Sequence, residues 1–139
     1  MSVKIVTVAK QLPQFYRETA EILPFLDAWL EGQDERFIRK VNKIFEGANV
    51  SKRYSIMDPI EVFTKTSFEE RNAIYKRETI EMGTKVLQKA LEKANWKPTD
   101  LDFIITVSCT GIMIPSVDAY VINRLGLRQD IVRDRKSVV

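Results

Sequence analysis

Apolar residues change their spacing several times along this chain, and each change marks a predicted element. Over residues 3–9, β-branched apolar positions (Val3 and Ile5 against Lys4, with Val6 and Val8) alternate with polar ones, which predicts a strand. From 14 to 31, Phe15, Ile22, Leu23, Leu26, Trp29 and Leu30 recur at helical spacing and predict a helix that Gly32 ends. Pro24 lacks the amide hydrogen a helix interior needs, so it should kink that helix or sit near its start. Asp34 is placed to cap a helix over 35–46. Its apolar face would be Phe37, Ile38, Val41, Ile44 and Phe45, with Arg36, Arg39, Lys40 and Lys43 opposite.

The stretch GANVSKRYSIMDP then reads as a turn and a short extended piece. Ser67 and Glu70 in SFEE form a capping box that opens a long helix towards Asn95. The apolar stripe of that helix is Ile80, Val86, Leu87, Ala90, Leu91 and Ala94, and WKPTD breaks it. LDFIITVS is nearly continuously apolar, which predicts a central strand buried on both faces. Pro115 should open a helix over 116–125 that Gly126 closes, and LRQDIVR should begin a further strand. The predicted class is α/β.

Composition narrows the chemistry. With 139 residues, 45% of them hydrophobic, the chain can build one domain core. Its 22 Lys and Arg against 19 Asp and Glu leave a formal charge of +3, too little to point to nucleic acid without a localised patch. The absence of histidine excludes any Ser/His, Cys/His or His–metal site made by this chain alone. One cysteine excludes an intrachain disulfide and suits a reducing cytoplasm. No apolar run approaches the roughly 18 residues of a membrane span, and no segment resembles a signal peptide.

That cysteine, Cys109, follows the predicted buried strand and precedes Thr110 and Gly111 in SCTGIMIPS. Loops at the carboxyl ends of buried strands are where α/β sheets bind ligands. Taken alone, Cys109 has two readings: a small buried hydrophobe, or a nucleophile that would need a base or a depressed pKa. The chain supplies no histidine for the second.

The run VSKRY, the long helix and DFIITVSCTGIMIPSVDAYVINRLGLR together resemble the N-terminal part of type III polyketide synthases, nearest their bacterial alkylpyrone-type branch, over residues 4–133. The resemblance implies an incomplete, N-terminal part of a thiolase-like fold. It implies a homodimeric parent that condenses an acyl-CoA starter with malonyl-CoA and cyclises the product, without a further cofactor. The family's Cys-His-Asn triad falls beyond this chain. Cys109 corresponds to a cavity-lining position, Thr110 borders the same pocket, and Ile114 corresponds to a residue that reaches across the dimer interface. The Ile114–Pro115 peptide corresponds to a cis bond. Lys40 and Lys43 match positions that hold CoA phosphates, while a third basic position falls at Gly47; without the resemblance, those lysines read as a solvated helix face. Lys52 and Arg53 read as structural.

Residues 134–139 are expected to be a non-native tail, because DRKSVV can be encoded by a common sequencing-adapter string. Two other readings stay open: a priming ketosynthase that takes malonyl groups from acyl carrier protein, or a non-catalytic binding or dimerisation module. Neither a membrane nor a nucleic-acid partner is expected. An apolar strand without neighbours on both sides is prone to association, so the chain alone should be insoluble or molten. A cooperative two-state melting transition of a monomer would contradict that.

Overall fold

A computed structural model of the chain describes residues 2–64 and 67–137. The chain divides into two compact bodies, Leu12–Phe68 and the combination of Met1–Gln11 with Glu69–Val139.

In the first body, β1 (Phe15–Glu18) leads into α1 (Thr19–Trp29), followed by α2 (Glu35–Gly47) and β2 (Lys52–Ser55). The two strands pair antiparallel, with Tyr16 opposite Tyr54 and Glu18 opposite Lys52. The single helix expected over 14–31 is therefore half correct. Phe15 contributes to a strand, because β2 offers it a hydrogen-bonded ladder that sequence periodicity does not reveal. Pro24 lies inside α1, past its first turn. Ile22, Leu26 and Leu30 form the buried apolar side of this body, with Trp29 against Phe63 at 6.0 Å between ring centres.

Asp34 caps α2 as expected, its Oδ1 accepting from the amides of Arg36 at 2.9 Å and Phe37 at 3.1 Å. The expected apolar face needs correcting. Ile38, Val41 and Phe45 are half-buried, but Phe37 and Ile44 are exposed beside the basic residues, because they sit on the far flank of the apolar arc. Arg53 packs its guanidinium 4.3 Å from the centre of the Phe45 ring, and Lys52 pairs with Glu18 at 3.5 Å. Both therefore have structural partners. The body is closed by a bidentate ion pair: Arg17 donates from Nε to Asp58 Oδ1 at 3.0 Å and from Nη2 to Oδ2 at 2.7 Å. Oδ1 of Asp58 also accepts from the Ile60 amide at 3.0 Å. Those hydrogen bonds, Arg17's first, hold the Asp58 carboxyl below its ordinary value.

In the second body, α3 (Phe68–Ala94) starts one residue after Ser67. A 3-10 turn, Pro98–Asp100, leads to β3 (Phe103–Ser108), then α4 (Val117–Leu125) and β4 (Val132–Ser137). β3 and β4 are parallel, with Phe103 opposite Val132 and Ser108 opposite Ser137, so α4 is the crossover of a βαβ unit. Ile122, Leu127 and Ile131 form its core, packed by Leu87, Leu101, Ile104 and Leu125. A Cβ on Gly83 of α3 would stand 3.3 Å from Val117, so glycine there permits the close approach of α4. Arg124 of α4 pairs with Glu81 of α3 and lowers that carboxyl below its usual range.

Two strand expectations need correction in this body. Residues 3–9 form no strand among the described residues, and Val3, Ile5 and Val8 are exposed, since β propensity without a pairing partner does not make a ladder. β3 is covered on one face only: Ile104, Thr106 and Ser108 are half-buried, whereas Phe103, Ile105 and Val107 are 48%, 55% and 62% exposed. Its continuous apolar character matches a two-sided burial that no described element completes. Ala9, Val86, Ala90, Ile104 and Ile105 line an apolar groove of about 280 Å³ beside it.

That bare face predicts self-association with the local secondary structure kept. Ile105→Lys should shift the purified chain towards monomer in sedimentation; an unchanged size distribution would exclude this face as the cause. For the Arg17–Asp58 pair the sign follows from the depressed carboxyl. Its contribution is present above the unfolded value of about 3.9 and is lost as pH falls through the lower folded value. The ratio of pepsin cleavage rates, Asp58→Asn over unsubstituted chain, should exceed one near pH 4.5 and approach one near pH 2.

Candidate functional site

The loop joining β3 to α4, residues 109–116, leaves the carboxyl end of a parallel strand, where such sheets place ligands. Its foundation is a buried carboxylate. Asp118, in the first turn of α4, is 3% exposed. Its Oδ1 accepts from Thr106 Oγ1 of β3 at 3.3 Å and from Ser116 Oγ, while Arg133 Nη1 of β4 lies 3.5 Å from Oδ2. The carboxylate also sits at the positive end of α4. One side chain thereby ties together both strands, the loop end and the helix start.

The near side of the loop is held from α3. Asn72 donates from Nδ2 to the Ile112 carbonyl at 2.8 Å and accepts from the Ile112 amide at 2.8 Å, as a neighbouring strand would. One helical turn on, the Tyr75 hydroxyl and Ser108 Oγ are 2.6 Å apart, and Ser108 Oγ donates to the Thr110 carbonyl at 2.9 Å. Gly111 has φ +69, and a Cβ there would fall 2.2 Å from Tyr75 Cδ1, so only glycine fits under the ring. Met113 is buried at 4%, and Arg135 donates from Nη1 to its carbonyl at 3.4 Å. The Ile114–Pro115 peptide is cis, as the resemblance implies.

These anchors leave Cys109, Thr110 and Ile114 facing outward, Ile114 at 83% exposure. The expectation of a buried thiol is corrected: Cys109 is exposed, because the strand face it continues has no cover. Beneath the loop Tyr75, Thr106, Ser108, Met113 and Arg135 enclose about 10 Å³, barely a water's worth of space. The loop is thus packed from below and open above. Cys109, Thr110 and Ile114 come together on it, as their sequence proximity requires. Asn72, Tyr75, Asp118 and Arg133, which fix it, were not singled out in sequence. The signals available were Asn72 and Tyr75 one helical turn apart and an acidic residue just inside a helix start.

In the first body, Lys40 and Lys43 lie exposed on α2 with Arg36 and Arg39. Arg39 pairs with Glu35 at 3.5 Å, both well exposed, whereas Lys40 and Lys43 have no carboxylate within 4.0 Å among the described residues. Gly47 forms the last residue of α2. This face can accept a polyanion at little cost in existing ion pairs.

Removing either loop anchor should open the packing around Met113. Asp118→Ala, and separately Gly111→Ala, should speed sulfoxidation of Met113 by peroxide by about tenfold, read by peptide mass mapping, with Met82 as the internal reference. Equal rates would show that these contacts do not hold the loop.

The sequence of residues 5–136 matches the family model of chalcone and stilbene synthases, N-terminal domain. A 1,3,6,8-tetrahydroxynaphthalene synthase of Streptomyces coelicolor is 42% identical over 85 residues, which are 60% of this chain and 22% of that protein. A phloroglucinol synthase of Pseudomonas fluorescens is 32% identical over 85 residues, 61% of this chain and 24% of that protein. The crystal structure of the Streptomyces coelicolor enzyme, titled a bacterial type III polyketide synthase, superposes with a TM-score of 0.77 at 26% identity. That superposition covers 94% of this chain and 38% of the other. The chain thus spans well under half the length of these relatives, and its α/β architecture is that of the N-terminal part of their thiolase-like fold. No helix among the described residues is long and apolar enough to cross a membrane. The match over nearly the whole chain, together with a strand–loop–helix of the same fold, establishes that this chain belongs to the chalcone and stilbene synthase family, within the type III polyketide synthases.

Proposed function

We propose that this chain furnishes the N-terminal part of a synthase that loads an acyl-CoA starter, extends it with malonyl-CoA by decarboxylative Claisen condensation and cyclises the product. In this reading the chain supplies pocket walls and an anion anchor, and the catalytic triad comes from elsewhere. The observation that carries it is the loop 109–116, packed from below and open above, in a sequence that matches the family over residues 5–136. Cys109, Thr110 and Ile114 form one wall of the acyl pocket, and Ile114, 83% exposed, is the residue that extends to a second subunit. Lys40 and Lys43, with no carboxylate within 4.0 Å among the described residues, hold the nucleotide phosphates of CoA. With one phosphate-binding position of the family pattern occupied by Gly47, that hold rests on two lysines.

A ketosynthase nucleophile needs its thiolate stabilised by a neighbouring histidine or a helix dipole. Cys109 precedes α4 by several residues, and the chain contains no histidine. The 139-residue chain therefore condenses nothing by itself. It requires no metal or redox cofactor for the part proposed here; the CoA thioesters are substrates.

Titration of CoA onto the purified chain tests the anchor. Lys40→Ala and Lys43→Ala should each weaken CoA binding by roughly five- to tenfold, the loss expected for one phosphate contact to a charged donor. Rising salt should weaken binding to the unsubstituted chain more than to the double variant. Affinity insensitive to both lysines would remove α2 from the binding site.

A further inference from the structure

We propose that Asn72 and Tyr75 of α3, which touch no predicted substrate, are positioning residues: they set where Cys109, Thr110 and Ile114 stand and thereby fix the shape of one pocket wall. This rests on the reading that loop 109–116 lines an acyl pocket. The two side chains occur one turn apart on one face of α3 and grip three consecutive parts of the loop. Asn72 makes a two-way amide pairing with the backbone of Ile112, at 2.8 Å in each direction. Tyr75 holds Ser108 at 2.6 Å, and Ser108 in turn holds the Thr110 carbonyl at 2.9 Å. The Tyr75 ring also fills the space a side chain at Gly111 would take.

The arrangement is more than packing. A loop that leaves a strand exposes its amide and carbonyl groups, and ordinary loops leave those to water. Here the Ile112 amide and carbonyl are both claimed by one side chain forty residues away, which removes the freedom to slide along the strand axis. Tyr75 removes the freedom to shift towards α3, because its ring fills the space next to Gly111. Asp118 holds the far end of the same segment. With both ends and the middle fixed, the outward residues Cys109, Thr110 and Ile114 have one position each. Substitution at 72 or 75 therefore changes the pocket wall without touching a pocket residue.

Hydrogen exchange of the 139-residue chain, resolved to single residues by mass spectrometry, tests the clamp and tolerates self-association. The Ile112 amide should be protected about tenfold over its free rate in the unsubstituted chain. Asn72→Ala should abolish that protection, while Asn72→Asp, which keeps the accepting oxygen, should retain most of it. The amides of Leu127 and Ile131 report whether the body itself has stayed folded. Tyr75→Phe should leave Ile112 protected but raise exchange at Thr110 or Gly111. An unprotected Ile112 amide in the unsubstituted chain, or equal exchange in the Ala and Asp variants, would overturn the proposal. CoA binding at Lys40 and Lys43 is read separately. Loss of CoA binding with Ile112 protected would strike the functional reading and leave the clamp standing.

Discussion

A carboxylate buried at the start of α4 is the constraint on which the site depends. An ionised group removed from water costs several kcal/mol unless its oxygens are engaged by donors or an opposite charge. Asp118 meets that demand with a threonine from β3, a serine from the loop end, a guanidinium from β4 and the helix start beneath it. Each of those partners comes from a different element. Satisfying one carboxylate therefore aligns the parallel pair, sets the distance between strand end and helix start, and leaves the connecting loop a single path. Asn72 and Tyr75 then hold the middle of that path from α3.

What the loop offers outward follows from what is held inward. Ser108, Gly111 and Met113 are turned towards α3 and β4, so Cys109, Thr110 and Ile114 face away from them. The same logic extends along β3, whose Ile104, Thr106 and Ser108 pack while Phe103, Ile105 and Val107 do not. The outward surface thus carries a thiol, a hydroxyl and an isoleucine side chain, and on the proposed reading it contains an acyl chain rather than attacking a thioester. On the proposed reading the basic face of α2 offers a place for phosphate charge, with lysines that have no carboxylate within 4.0 Å among the described residues.

Local signals were the legible part of the sequence. The Asp34 cap, the helix that begins after Ser67 and the stop at Gly126 lie within a few residues of what determines them, whereas the cis peptide before Pro115 was expected from the family resemblance alone. Pairing was not legible. Phe15 joins a strand because β2 stands beside it, and residues 3–9 form none because nothing described pairs with them. The apolar run in β3 correctly signals a strand, yet burial on both faces needs a second layer that the chain does not provide among its described residues. For the candidate site, family resemblance pointed to Cys109, Thr110 and Ile114, while the residues that support their loop were not singled out. Asn72, Tyr75, Asp118 and Arg133 are distributed over α3, α4 and β4, and only the fold makes them neighbours.

Chemical reactivity at Cys109 is the most direct test of the proposal that this chain shapes thioester chemistry without performing it. The purified polypeptide can be incubated with a short acyl-CoA and with malonyl-CoA and its intact mass recorded over time. A mass that stays unchanged, with no acyl group on Cys109 and no carbon dioxide released, is the predicted result. Stoichiometric acylation of that thiol followed by decarboxylation would contradict the account.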